Sequence, residues 1–124
     1  MEANFQQYKE QAINTMTQGE LLLLVYDELV KHLTRAGIAL DKEQYELLEA
    51  SVQKSVDIIH YLDKTLDWKY PISQNLHQLY EYFCYELSRV RFGRNKTELE
   101  RVKGMVQELR ASFREVEKSN DSGK

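Results

Sequence analysis

Apolar residues fall along this chain in four runs whose spacing alternates between three and four. The first joins Leu22, Tyr26, Leu29, Leu33, Ala36 and Leu40, and the second Tyr45, Leu48, Val52, Ser55, Ile59, Leu62 and Leu66. The third carries Leu76, Tyr80, Phe83, Leu87 and Val90, and the fourth Leu99, Val102, Val106, Leu109, Phe113 and Val116. At about 100° per residue, each run keeps to one side of an α-helix, and the three/four alternation favours near-parallel packing between neighbours. Breaks at Asp41, around Trp68–Pro71 and at Gly93–Asn95 are short enough to turn each helix back on the one before. The pattern predicts an all-α protein: an antiparallel up-down four-helix bundle with a short N-terminal helical or lid segment. One domain is expected over residues 1–117, including the N-terminal segment 1–16. The tail 118–124 (KSNDSGK) has no apolar residue and is expected to be disordered.

Residues at the breaks suit these boundaries. Thr17 and Glu20 have the spacing of a capping box, in which a hydroxyl and a carboxylate satisfy amides of the first turn. Pro71 loses nothing in the first turn of the third helix, where its missing N–H has no partner to serve. Gly93 is expected to close that helix in a left-handed conformation, with Asn95 or Thr97 capping the fourth. Phe5, Tyr8, Ala12 and Ile13 are also spaced like a stripe, but so short a helix is marginal alone.

Apolar residues off the inward stripes carry more functional information. The run Leu21–Tyr26 (LLLLVY) circles its helix, whereas a bundle helix needs one apolar face. With Tyr26 inward, Leu24 lies about 160° away, Leu21 about 140° away on the other side, and Val25 on the adjoining flank. By the same projection Tyr61 faces out from the second helix, with Leu47 and Ile58 sharing a flank. Tyr82 lies on a flank of the third, where Tyr85 and Phe92 point almost directly out. Met105 and Val116 line one flank of the fourth. Single exposed apolar residues are ordinary. A set rich in leucine and aromatics suits a partner that lays an apolar helix into an inter-helix groove. The expected partner-binding residues are therefore these eleven, with Tyr8 and Ile13 of the N-terminal segment.

Composition narrows the alternatives. The 124 residues carry a net charge of −3, which argues against broad electrostatic binding to nucleic acid. The polar N-terminus lacks the order of a signal peptide, and no stretch approaches the roughly 18 apolar residues of a membrane span. With a single cysteine, Cys84, a reducing, cytoplasmic setting is expected. Asp57 and His60 give one carboxylate–histidine pair where a di-iron bundle needs two, and Asp57 projects away from the core stripe. His32 and His77 have no second ligand at a metal-binding spacing, and Cys84 sits about 10 Å along its helix from His77. No glycine-rich phosphate loop is present. No enzyme activity, catalytic residue, metal or cofactor is therefore expected. The cations Arg89, Arg91, Arg94 and Lys96 gather at the end of the third helix, where they complement its dipole. A docking patch for an acidic partner is the second reading of that cluster.

Three segments together resemble a known family. Tyr8-x4-Ile13-x-Thr15-x-Thr17-x2-Glu20-Leu21, followed by Leu24-x-Tyr26-Asp27, is similar to the N-terminal signature of FliS, the flagellar export chaperones. Leu66-Asp67, then Ile72-Ser73-x-Asn75-Leu76-x2-Leu79-Tyr80-x-Tyr82, resembles the family's middle motif, and Leu99-x2-Val102-x3-Val106-x2-Leu109-Arg110 its last helix. The chain departs from the family's usual tryptophan at Phe113 and from its usual Ala-Asn pair at Val90-Arg91. The resemblance implies a cytoplasmic chaperone that binds the C-terminal region of flagellin, blocks premature polymerisation and presents the subunit to a component of the flagellar export gate. It implies neither nucleic acid nor membrane insertion, and leaves monomer or homodimer open. Tyr8 and Ile13 are expected to fold over Leu21 and Leu24 until a client displaces them. The alternative reading is a four-helix adaptor for an unrelated amphipathic helix.

Overall fold

A computed structural model describes residues 18–122, all of whose regular structure is helical. Four helices, α1 (Gln18–Asp41), α2 (Tyr45–Lys64), α3 (Ile72–Gly93) and α4 (Lys96–Ser122), run up and down. Each packs on two neighbours: α1 on α2 and α4, and α3 on α2 and α4. This order leaves α1 and α3 on one diagonal of the bundle, and sets the α1/α2 face opposite the α3/α4 face.

The four stripes meet in the core. Tyr26, Leu29, Leu33, Leu48, Val52, Ile59, Phe83, Leu87, Val90, Leu99, Val102 and Val106 are all buried. At the start of α1, Leu23 is buried and Leu22 only partly so, a shift of one residue from the expected stripe. Leu23 lies on the flank of Tyr26 that faces α4, where Asp27 pairs with Arg110. Val116 is exposed, so the core ends at the half-buried Phe113, whose ring lies 5.5 Å from that of Tyr26. The one polar member of the second stripe is satisfied: the Ser55 hydroxyl donates to the Ser51 carbonyl at 2.9 Å.

Across the core diagonal, the hydroxyls of Tyr26 and Tyr80 are hydrogen-bonded at 2.5 Å. Burial raises the pKa of both phenols, so each stays protonated as this bond requires. A bidentate pair between Arg110 and Asp27 ties α4 to α1 outside the core.

The connections depart from expectation in one place. Between α1 and α2, Glu43 N–H donates to Leu40 and Gln44 N–H to Ala39, a Schellman closure with Glu43 left-handed at φ 55°. At the end of α3 it is Arg94, not Gly93, that turns left-handed, also at φ 55°. Arg94 gains a compensating contact there, its guanidinium lying 3.5 Å from the centroid of the Tyr45 ring. Asn95 caps α4 as one of the two expected candidates, its side chain accepting the Thr97 N–H at 3.0 Å. Thr17 lies outside the described residues. The connection from α2 to α3 is braced by the Ser73 hydroxyl on the Asp67 carbonyl, and by Tyr70 N–H on the same carbonyl at 3.1 Å.

The tail corrects a second expectation: α4 continues to Ser122, through residues expected to be disordered. Helix elongation needs only favourable backbone propensity once a helix is under way, and Arg114, Glu115, Glu117 and Lys118 supply it. Near its end α4 also meets α1. A Cβ on Gly19 would lie 1.8 Å from the Glu117 carboxylate, so the glycine makes the room that this approach uses.

Two measurements test these contacts. Tyr80→Phe leaves the Tyr26 hydroxyl buried without a partner and should cost about 1–3 kcal/mol in urea unfolding. The double variant with Tyr26→Phe should then cost less than the sum of the singles; simple additivity would show that the bond contributes nothing. His77, on α3, bridges Asp63 of α2 at 2.7 Å and Glu81 at 2.6 Å. The hydrogen bond that its ring donates to Asp63, with the charges of both carboxylates, raises its pKa from 6.5. The folded state therefore favours the protonated ring. That stabilisation is complete below the unfolded value and disappears as pH rises through the raised folded value. His77→Gln should destabilise the protein at about pH 5.5 and have little effect at about pH 8.5; an equal effect at both would contradict the bridge.

Candidate functional site

Along the outer α1/α2 face the facing flanks of the two helices form a shallow groove. The outer flank of α1 carries Leu21, Leu24, Val25, Glu28 and His32, and the facing flank of α2 carries Lys54, Asp57, Ile58 and Tyr61. Together they line a shallow, open recess of about 510 Å³. A second recess of about 470 Å³ adjoins it at the α1 N-terminal end, sharing Leu21, Val25 and Tyr61 and reaching Thr65. The result is a continuous groove, apolar from Leu21 to Ile58 and polar toward His32. The core beneath it is already filled by Tyr26, Ile59 and Leu62.

Five of the residues expected from sequence thus converge: Leu21, Leu24, Val25, Ile58 and Tyr61. Tyr61 is 51% exposed, and the other four are half-buried, each offering part of its side chain to the groove. Leu47 shares the α2 flank with Ile58 but lies 11 residues before it, about 16 Å along the axis, and does not line the groove. Tyr82, Tyr85, Phe92, Met105 and Val116 belong to α3 and α4 and are not part of this groove. Tyr8 and Ile13 lie outside the described residues.

The groove's polar end was missed in the sequence. Glu28 pairs with Lys31 at 3.0 Å and approaches His32 at 3.9 Å, while Asp57 accepts from Gln53 at 2.9 Å. Burial, then Lys31 and Arg35, lower the His32 pKa, so at neutral pH its ring is uncharged and can donate or accept. Helical projection would have found these side chains, since Lys54, Asp57 and Ile58 lie on one side of α2 at spacings of three and one.

Other candidate chemistry resolves into structure. Burial pushes the Cys84 thiol up to about 11, far from the range of a nucleophile. Among the described residues no three His, Cys, Asp or Glu side chains gather as a metal site requires. The cations at the end of α3 are distributed among separate neighbours: Arg91 to Gln53 at 2.8 Å, Arg94 to the Tyr45 ring, Lys96 to Asp41 at 2.7 Å. Among the described residues no helix is long and apolar enough to cross a membrane.

The family model for the flagellar protein FliS matches residues 1–120. The chain belongs to the FliS family. It is also 26% identical over 109 residues, spanning 88% of this chain and 82% of the relative, to the flagellar secretion chaperone FliS of Bacillus subtilis (strain 168). The segments that resemble FliS proteins include the contacts that hold this bundle together. Tyr26 and Tyr80 join the first segment to the middle one, Asp27 and Arg110 the first to the last, and Ser73 bonds Asp67 within the middle one. Leu21 and Leu24, from the same first FliS-like segment, face the groove instead.

Val25 and Ile58 of the groove wall pack against the core, but Tyr61 does not, so Tyr61 can be altered without unfolding the protein. Tyr61→Ser should change the unfolding free energy by less than about 1 kcal/mol, whereas Ile59→Ala, two residues away and fully buried, should cost about 2–5 kcal/mol. Comparable losses from both would mean that Tyr61 is part of the core.

Proposed function

We propose that this protein is a cytoplasmic flagellar secretion chaperone whose α1/α2 groove holds the C-terminal segment of flagellin. The observation that carries the reading is the apolar groove that Leu21, Leu24, Val25, Ile58 and Tyr61 line, among the described residues, on the outside of the bundle. Membership of the FliS family, and the name of the Bacillus subtilis relative, support the role of a flagellar secretion chaperone.

The mechanism is physical and needs no catalysis. An apolar turn of the client enters the recess between Leu24 and Tyr61, burying apolar surface on both partners at about 25 cal/mol per Å². Part of that gain is spent on ordering the client. His32, Lys54 and Asp57 at the polar end can hydrogen-bond the side chains or free backbone groups that follow, which fixes the client's register. While its apolar turns are held here, they are not available to pack against another flagellin. The subunit is thereby kept from polymerising until the flagellar type III export apparatus receives it. Tyr8 and Ile13 belong to the same reading as residues that cover Leu21 and Leu24 when no client is bound.

Titration of the full chain with a flagellin C-terminal segment from the same genome tests this. An equimolar complex should form, and Leu24→Glu or Tyr61→Glu should weaken it at least about tenfold by placing a charge in the apolar recess. Helicity and unfolding midpoint should stay close to those of the parent. Failure of every flagellin C-terminal segment to bind would sink the proposal, and binding of an unrelated amphipathic helix instead would favour a general adaptor. Removal of residues 1–13 should raise binding of an apolar dye by the free protein; no rise would leave Tyr8 and Ile13 without the covering role.

A further inference from the structure

On the opposite side of the bundle, α3 carries a second ridge. Tyr82, Tyr85, Arg89 and Phe92 recur at spacings of three, four and three, so they form one row of about three turns, or about 15 Å. The row lies on the side of α3 nearer α4. Phe92 is 82% exposed and Tyr85 62% exposed, whereas Tyr82 is half-buried with its ring 6.2 Å from that of Phe83. The facing flank of α4 carries Glu98, Arg101 and Met105. Beside Phe92 a recess of about 320 Å³ is lined by Ser88, Arg89, Gly93 and Asn95.

The charges in this seam are layered. Glu86 is 3% exposed and Glu98 7%, while Arg89 and Arg101 above them are about half exposed. Arg89 reaches Glu86 at 3.4 Å and Glu98 at 3.5 Å, and Arg101 reaches the same two carboxylates at 3.7 and 4.0 Å. Carboxylate lies beneath and guanidinium faces out, so an approaching partner meets positive charge from a network that is neutral in total. The pairing is also loose. Neither Oε2 of Glu86 nor Oε2 of Glu98 receives a hydrogen bond. Arg101 makes both of its contacts through Nη1, which leaves Nε and Nη2 to donate elsewhere.

We propose that the α3/α4 seam is a second docking surface, for an acidic amphipathic segment of a protein other than the client. Aromatic residues flanking an arginine, with a recess beside them, are the composition of an interface hot spot. The ridge length suits a helix with apolar anchors at i, i+3 or i+4 and i+7, and a carboxylate in its middle turn would be shared between Arg89 and Arg101. Because the seam lies opposite the α1/α2 groove, both surfaces can be occupied at once. This assignment rests on the charge layering and aromatic ridge and stands apart from the identity of the client.

The test uses the ¹⁵N-labelled full chain and two synthetic two-heptad peptides with the same Leu and Phe anchors, one with Glu at the flanking positions and one with Lys. The Glu peptide should shift amides of α3 and α4 along Tyr82–Phe92 and Glu98–Met105, and the Lys peptide should not. Phe92→Ser, which removes an exposed ring and no core contact, should weaken the Glu peptide about tenfold, as should Arg101→Gln. Binding of a flagellin C-terminal segment should stay within about twofold in both variants. Equal binding of the two peptides would overturn the proposal, as would shifts confined to the α1/α2 groove, competition by the flagellin segment, or no effect of Phe92→Ser. Concentration-dependent shifts at Tyr85 and Phe92 without any peptide would assign the seam to a second copy of the chain and overturn it equally.

Discussion

The hydrogen bond between Tyr26 and Tyr80 fixes the bundle across its diagonal, where two helices that are not neighbours would otherwise meet only through apolar contacts. Apolar packing is tolerant of small rotations, because one methyl group substitutes for another. A buried hydroxyl pair is not, because a small displacement leaves two polar groups unpaired. The orientation of α1 about its own axis follows from that bond, together with the Phe113 ring against Tyr26 and the Arg110 clasp on Asp27. With Tyr26 held inward, Leu21 and Leu24 fall outside the core and line the outer groove, while Val25 packs against the core and faces the groove as well. The placement of Leu21 and Leu24 in the groove thus follows from the core's polar contact.

Much of this was legible in the sequence because helical periodicity depends on one number, the turn per residue. The stripes, the three breaks and the off-stripe positions of Leu24, Tyr61 and Phe92 all follow from it. What did not follow was the partner of each flank. Projection puts Ile58 on one side of α2 and Cys84 on one side of α3, but the order of helices around the bundle decides which neighbour each side meets. That order separates Tyr82, Tyr85, Phe92 and Met105 from the groove residues with which they were grouped. Leu47 was separated by distance along its helix, which a projection down the axis does not show.

Other departures have local causes. Gly93 looked like the left-handed residue because glycine bears no steric cost there. The stacking of Arg94 on Tyr45, a contact between residues 49 apart, moved the turn by one position. Helical spacing does not show that Glu86 and Glu98 are buried, because the two arginines that cover them come from adjacent helices. The end of α4 lacks apolar residues, but backbone propensity alone carries the helix on to Ser122. For Arg94 and for the two buried glutamates the missing information was a contact between helices.

The structure therefore has two faces built from different chemistry: an apolar groove between α1 and α2, and an aromatic, cationic seam between α3 and α4. The central claim is that the client occupies the first. A photoreactive side chain placed at Tyr61 in one preparation and at Phe92 in another, each mixed with a flagellin C-terminal segment and irradiated, addresses it most directly. The account predicts efficient cross-linking from position 61 and little from position 92. Cross-linking from position 92 alone, or equally from both, would contradict it.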